Sequence, residues 1–127
     1  MTSSEKPQPA PLTREAILAA EDILSETVTV PEWGGTVIVR GLTGDERDDF
    51  EASCIRGKGR KTEVNYRNAR AKLVVRCCYK PDGSRLFNDD DAAAVGKKGA
   101  AAVSRVYEVG ARLSGLTEED LEELAKN

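Results

Sequence analysis

The sequence predicts a mostly α fold: a small N-terminal β-hairpin followed by a compact bundle of about five short helices, α+β by strict count. Three observations predict it. Apolar residues recur at helical spacing over most of the chain. Strand signal is confined to one stretch, where Thr27-Val28-Thr29-Val30 alternates polar and apolar and Thr36-Val37-Ile38-Val39 is β-branched throughout. Capping residues and Gly or Pro stops divide the remainder into short segments.

From the N-terminus, Pro7, Pro9 and Pro11 alternate among polar residues. Proline removes backbone donors and disfavours helix at the residue before it. Residues 1–12 therefore read as a disordered arm and 13–127 as a single helical domain. Thr13 caps a helix over about 14–25, in which Ala16, Ile17, Ala20, Ile23 and Leu24 keep helical spacing. Pro31-Glu32-Trp33-Gly34-Gly35 then joins the two β stretches, its glycines free to take positive φ, and puts Trp33 at a hairpin tip. A lone hairpin is marginal in water, so this one must lie on helices or pair with a partner's edge.

Thr43 with Glu46 forms a capping box, and Asp45 adds negative charge at the positive end of the helix dipole. That helix carries Arg47, Phe50, Cys54 and Ile55 and is expected to end near Gly57, before the glycine-broken basic connector 57–61. The longest helix is expected over 63–79. Tyr66, Ala69, Leu73 and Cys77 line one stripe, and Val74, Val75 and Cys78 widen it into the centre of the core. Pro81-Asp82-Gly83 stops it in a tight turn. Asn88 or Asp89 caps a short helix to about Val95, broken at Gly96. Residues 100–113 form the next helix, with Val103, Val106, Tyr107, Gly110 and Leu113 on one side. Thr117, in an approximate capping box with Asp120, starts a last helix whose Leu121 and Leu124 face inward.

Composition narrows the function. A net charge of −3 argues against general nucleic-acid binding, which needs a positive surface to match phosphates. Basic residues crowd 56–76 and acids crowd 117–127. Two solvated faces is the simpler reading, because exposed ion pairs are worth only ~0–1 kcal/mol; contact between the patches, within the fold or between copies, is the alternative. Cys54, Cys77 and Cys78 are odd in number and two are adjacent, which fits a reducing compartment rather than a disulfide framework. Cys54 and Cys77 read as small buried hydrophobes. The sequence has no histidine and no CxxC spacing, so no zinc site and no cofactor is expected. Arg76 beside Cys77-Cys78 could lower a thiol pKa, but no base accompanies them. Asp89-Asp90-Asp91 point in different directions from a helix start, and capping explains them better than a cation does. An enzyme is not expected. Nor is a membrane protein, since no apolar run approaches the ~20 residues a bilayer requires.

Several motifs recur in a fixed order. After the Trp-Gly-Gly turn comes Leu42-Thr43-Gly44-Asp45-Glu46-Arg47-Asp48-Asp49-Phe50; then Asp82-Gly83-Ser84-Arg85-Leu86-Phe87; then Leu113-Ser114-Gly115-Leu116-Thr117-Glu118-Glu119-Asp120-Leu121-Glu122-Glu123-Leu124. In this order the chain, from about residue 27 to 127, resembles the tail assembly chaperones of long-tailed bacteriophages. It departs from their pattern by one residue fewer before the glycine of the central turn. The resemblance implies a non-enzymatic assembly factor in the cytoplasm of the bacterial host, absent from the mature virion. Such a factor binds the tape-measure protein, keeps it soluble and helps recruit major tail (tube) protein subunits, and the resemblance implies that it acts as a homo-oligomer. As protein-binding candidates the residues offer Trp33 on the hairpin tip and the helical face of Val103, Val106, Tyr107, Gly110 and Leu113. For each of these, plain core packing is the competing explanation. A structural head–tail component of the virion and a small nucleic-acid-binding regulator are the rival functions.

Overall fold

A computed structural model describes residues 10–56, 63–64, 67–117 and 119–120. Among these the chain is mixed and mostly helical, as expected. The helices are α1 (Arg14–Ala19), α2 (Gly44–Ser53), α3 (Ala69–Cys77), α4 (Ala92–Val95) and α5 (Ala100–Leu113). The strands are β1 (Ser25–Val30), β2 (Gly35–Arg40), β3 (Ile55–Arg56), β4 (Glu63–Val64) and β5 (Cys78–Tyr79).

The hairpin forms as predicted. β1 and β2 pair antiparallel from Ser25↔Arg40 to Val30↔Gly35. A 3-10 turn over Pro31–Trp33 closes them, with Gly34 at φ 73°, a conformation only glycine adopts freely. The hairpin is not alone: β5 adds antiparallel to β2, making a three-stranded sheet in the order β1-β2-β5. One face of that sheet buries Val30 and Val39 and lies on α5. This meets the requirement that a lone hairpin find cover.

Helix α3 occupies the centre. Leu73, Val74, Val75 and Cys77 are fully buried there, and α3 packs against α5, α4 and α2. Each such side chain contributes about 1.5–3 kcal/mol by leaving water. Small residues set how closely the elements approach. A Cβ at Gly110 would lie 3.0 Å from Cys77 Sγ, so the absence of a side chain lets α5 settle on α3. α5 ends in a Schellman-type cap, with Gly115 at φ 75° and the Leu116 amide donating to Ala111 O at 3.0 Å.

Local signals hold where the sequence marked them. Thr13 Oγ1 accepts from the Ala16 amide at 3.1 Å. Thr43 and Glu46 form the reciprocal capping box, with distances of 2.8 and 3.2 Å. Gly83 takes φ 91° in the turn after Lys80. Asn88 caps the turn leading into α4, which ends at Gly96, and Thr117 and Asp120 bond reciprocally.

Three expected helices are shorter than predicted. α1 stops at Ala19 instead of 25, because strand pairing reaches back to Ser25 and Leu24 O accepts from the Gly41 amide at 2.9 Å. α2 stops at Ser53 rather than near 57, since Ile55–Arg56 is drawn into a short ribbon with Glu63–Val64. The helix expected over 63–79 is divided. Its start is extended, Asn68 adopts the left-handed φ of 62°, and Cys78–Tyr79 leaves the helix to pair with β2. Asn68 is held there by donating Nδ2 to Ala92 O at 2.8 Å. Its side chain lies so close over Gly96 that a Cβ there would stand 2.2 Å from it. The longest helix among the described residues is therefore α5.

Residues 1–9 of the arm, the whole basic connector 57–61, Tyr66, Leu121 and Leu124 lie outside the described residues. Among the described residues no helix is long and apolar enough to cross a membrane.

Candidate partner-binding surface

The tip of the hairpin is fixed to α5 from outside the core. Arg105 Nε donates to both Glu32 oxygens, at 3.0 and 3.1 Å, and Arg112 pairs with Glu26 on β1. Glu32 is held below the ordinary carboxylate range, first by its own backbone amide and then by Arg105. Such exposed pairs add little stability; their use is to set the tilt of the turn. Trp33 next to Glu32 packs against the core with part of its ring still open to solvent.

Facing Trp33 is Phe87. It is delivered by the Pro81–Gly83 turn, which folds the chain back so that Leu86 N donates to Cys78 O at 2.9 Å and Arg85 bridges to Asp89 at 2.9 Å. Asp89 also approaches Arg76, whose side chain is buried, at 3.6 Å. Arg76 thus departs from the solvated face expected of residues 56–76. Lys72 departs as well, donating Nζ to Ser53 O at 2.8 Å. The acidic triplet works as capping does: Asp91 Oδ2 accepts from the Asn88 amide at 2.9 Å. Beyond it α4 presents Ala94 and Val95.

Together Glu32, Trp33, Phe87, Asp91, Ala94, Val95 and Lys98 line an open groove of about 570 Å³. Its floor is apolar and its rim charged. The two rim carboxylates are already engaged, by Arg105 and by the Asn88 amide, whereas Lys98 has no ion pair among the described residues. The groove suits an apolar side chain.

A second apolar surface lies at the opposite end of the hairpin. No residue of α1 is buried. Leu12, Ile17, Leu18 and Leu24 stand 73, 55, 68 and 62% exposed. Isolated apolar residues on a surface need no explanation, but a cluster marks an interaction site.

Of the six residues singled out from sequence, Trp33 lines the groove. Leu113 is half-buried at the end of α5. Val103, Val106, Tyr107 and Gly110 lie in the core, with Arg70 stacked 5.5 Å from the Tyr107 ring centroid. Phe87, Ala94, Val95 and Lys98, and the arm residues Ile17 and Leu18, were not singled out. The available signal was an aromatic four residues after the glycine of an Asp-Gly turn and shortly before an alanine-rich helix.

The cysteines do no chemistry that the geometry supports. All three thiols are free and buried. Burial pushes Cys77 up to about 12, aided by its neighbour Cys78, and pushes Cys78 up to about 12 as well. Arg76 therefore does not produce the lowered thiol pKa considered from sequence; desolvation wins. Among the described residues no group of three or more His, Cys, Asp or Glu side chains could hold a metal ion.

The family model described as phage tail assembly chaperone matches residues 12–127. No curated protein and no solved structure matches the chain.

Proposed function

The chain belongs to the phage tail assembly chaperone family, and from that premise we propose that it binds the tape-measure protein and keeps it soluble during tail assembly. The observation that carries this reading is the Trp33–Phe87 groove, apolar within and charged at its rim. A tape measure is a long helical chain with apolar stripes that aggregate if left bare. An open groove accepts such a stripe by helix-in-groove packing, with Trp33 and Phe87 as anchors. Two aromatics and small aliphatic neighbours give a contact of modest strength, which suits a cover that must come off when tube subunits arrive. In this reading the chain recruits the major tail protein, works in the cytoplasm of the host, and is left out of the finished virion.

Co-expression with the tape-measure protein tests it. Wild-type chain should raise the soluble fraction of that partner several-fold, and Ala94→Glu, which places a charge in the groove at an exposed position, should abolish the gain. No gain with the wild-type chain, or full activity in the Ala94→Glu variant, overturns the assignment. Mass spectrometry of purified virions should find the tape measure without this chain.

A further inference from the structure

We propose that Arg105, from outside the groove, is the residue that positions Trp33 as one of its walls, and that it does so through Glu32. The use of this device rests on the client-binding role of the groove; the device itself is open to measurement in the free chain.

The tip that carries Trp33 is fixed on one side only by its own backbone. Pro31 sets its entry, since the ring locks φ, and the Gly34 amide closes the turn by donating to Pro31 O at 3.1 Å. Beyond Trp33 come Gly34, in the left-handed region, and Gly35, and a Cβ at either would meet nothing within 4 Å. Glycine brings freedom rather than constraint, so the backbone after Trp33 does not decide where the ring stands. Nor does the core hold the ring completely, for Trp33 is only half-buried. The remaining anchor is one residue earlier. It is Glu32, both of whose carboxylate oxygens accept from Arg105 Nε. Its own backbone amide first, and then Arg105, hold Glu32 in the charged form that this tie requires.

Arg105 is a firm post for the purpose. It stands within α5 close to Val103 and Val106, which are buried in the core. It does not line the groove, so the tie also draws the Glu32 carboxylate toward α5 and off the apolar floor. A second pair on the same helix and strand, Arg112 with Glu26, lies toward the end of β1 remote from the tip. The two pairs match in chemistry and are comparably exposed; they differ in place, and only the first borders Trp33. An exposed pair adds little to global stability, yet it can bias a three-residue tip on which little else acts. A groove with an apolar floor thereby acquires a dependence on salt. Salt at about 1 M cuts the screening length to about 3 Å and loosens the wall, whereas apolar contact itself is not screened.

Trp33 is the only tryptophan in the chain, so emission reports its setting directly. In the free chain Arg105→Gln should move that emission to the red, raise its quenching by acrylamide and leave circular dichroism unchanged. Glu32→Gln should do the same to the same extent. The double variant should go no further, because each change removes the same tie. Arg112→Gln should leave Trp33 as it is. Raising sodium chloride from about 0.05 M to about 1 M should redden wild-type Trp33 and leave that of Arg105→Gln unmoved. Toward the tape-measure protein, Arg105→Gln should lose about 2–5-fold in affinity, the worth of one exposed ion pair. Wild-type emission and quenching in Arg105→Gln, single effects that add in the double variant, or an equal shift in Arg112→Gln would each overturn the proposal. So would a salt response that survives in Arg105→Gln, or a client affinity that this change leaves intact. If tape-measure protein does not bind the wild-type chain at all, the assignment of function fails, while the emission series still decides whether Arg105 positions Trp33.

Discussion

Replacing Gly41 by alanine should damage this fold far more than the same change three residues later. A Cβ at Gly41 would stand 2.4 Å from Leu113 O and 2.8 Å from Leu113 C, where ordinary contact begins at 3.4 Å. The obstacle is backbone, so one segment must retreat by about 1 Å. That retreat strains the bond by which the Leu42 amide donates to Ser114 Oγ at 2.9 Å, with Ser114 Oγ in turn donating to Gly110 O at 2.6 Å. Overpacking costs about 1–3 kcal/mol and a weakened hydrogen bond about 1 more, against roughly 0.4–1 kcal/mol gained from a stiffer unfolded chain. The net is about 2 kcal/mol of destabilisation, or a fall of about 1 M in the urea midpoint for an m-value near 2 kcal/mol/M. Gly44 is the control: nothing lies within 4 Å of a Cβ there, and Gly44→Ala should stay within about 0.5 kcal/mol of wild type. Urea titrations followed by circular dichroism and by Trp33 emission give both numbers. Equal midpoints for the two variants would refute the claim that the C-terminal end of α5 is clamped on the hairpin's exit.

Thr43→Ala removes one half of the α2 capping box and should cost about 1 kcal/mol by the same titration. Asp89→Asn takes the countercharge from Arg76, which is 8% exposed, and from Arg85; Asp89 itself is half exposed, so a loss of about 1–2 kcal/mol is expected in thermal or urea melts. Cys77 and Cys78 should resist iodoacetamide in the native chain at pH 8 and react once urea unfolds it, as labelling with mass readout will show. Their folded pKa values lie near 12, above the ordinary 9.0. The unfolded chain thus loses these protons first. Their stabilisation is complete below pH 9 and is lost as pH rises from 9 towards 12, at up to about 1.4 kcal/mol per pH unit for each thiol. Urea midpoints at pH 8 and pH 10 should separate accordingly, and Cys77→Ala/Cys78→Ala should remove most of the difference.

Features that sequence alone determined are those settled within four residues. The caps at Thr13, Thr43 and Asn88, the turn at Gly83, the hairpin around Trp33 and the limits of α5 all depend on neighbours close along the chain, which a linear reading contains. Mostly helical content and a core centred on Leu73 to Cys77 follow from periodicity in the same way. Tertiary structure decided where a local preference met a distant partner. Residues 78–79 continue a helical pattern, yet they become a strand because β2 offers hydrogen bonds from forty residues away in sequence. Residues 20–24 likewise leave the helix, for an irregular connection into β1, whose pairing begins at Ser25. The candidate surface shows the same limit from the other side. An apolar helical face declares that something covers it but not what. For Val103, Val106 and Tyr107 the cover is this chain's own α3 and sheet, while for Ile17 and Leu18 the fold supplies none, and only packing in three dimensions tells these cases apart.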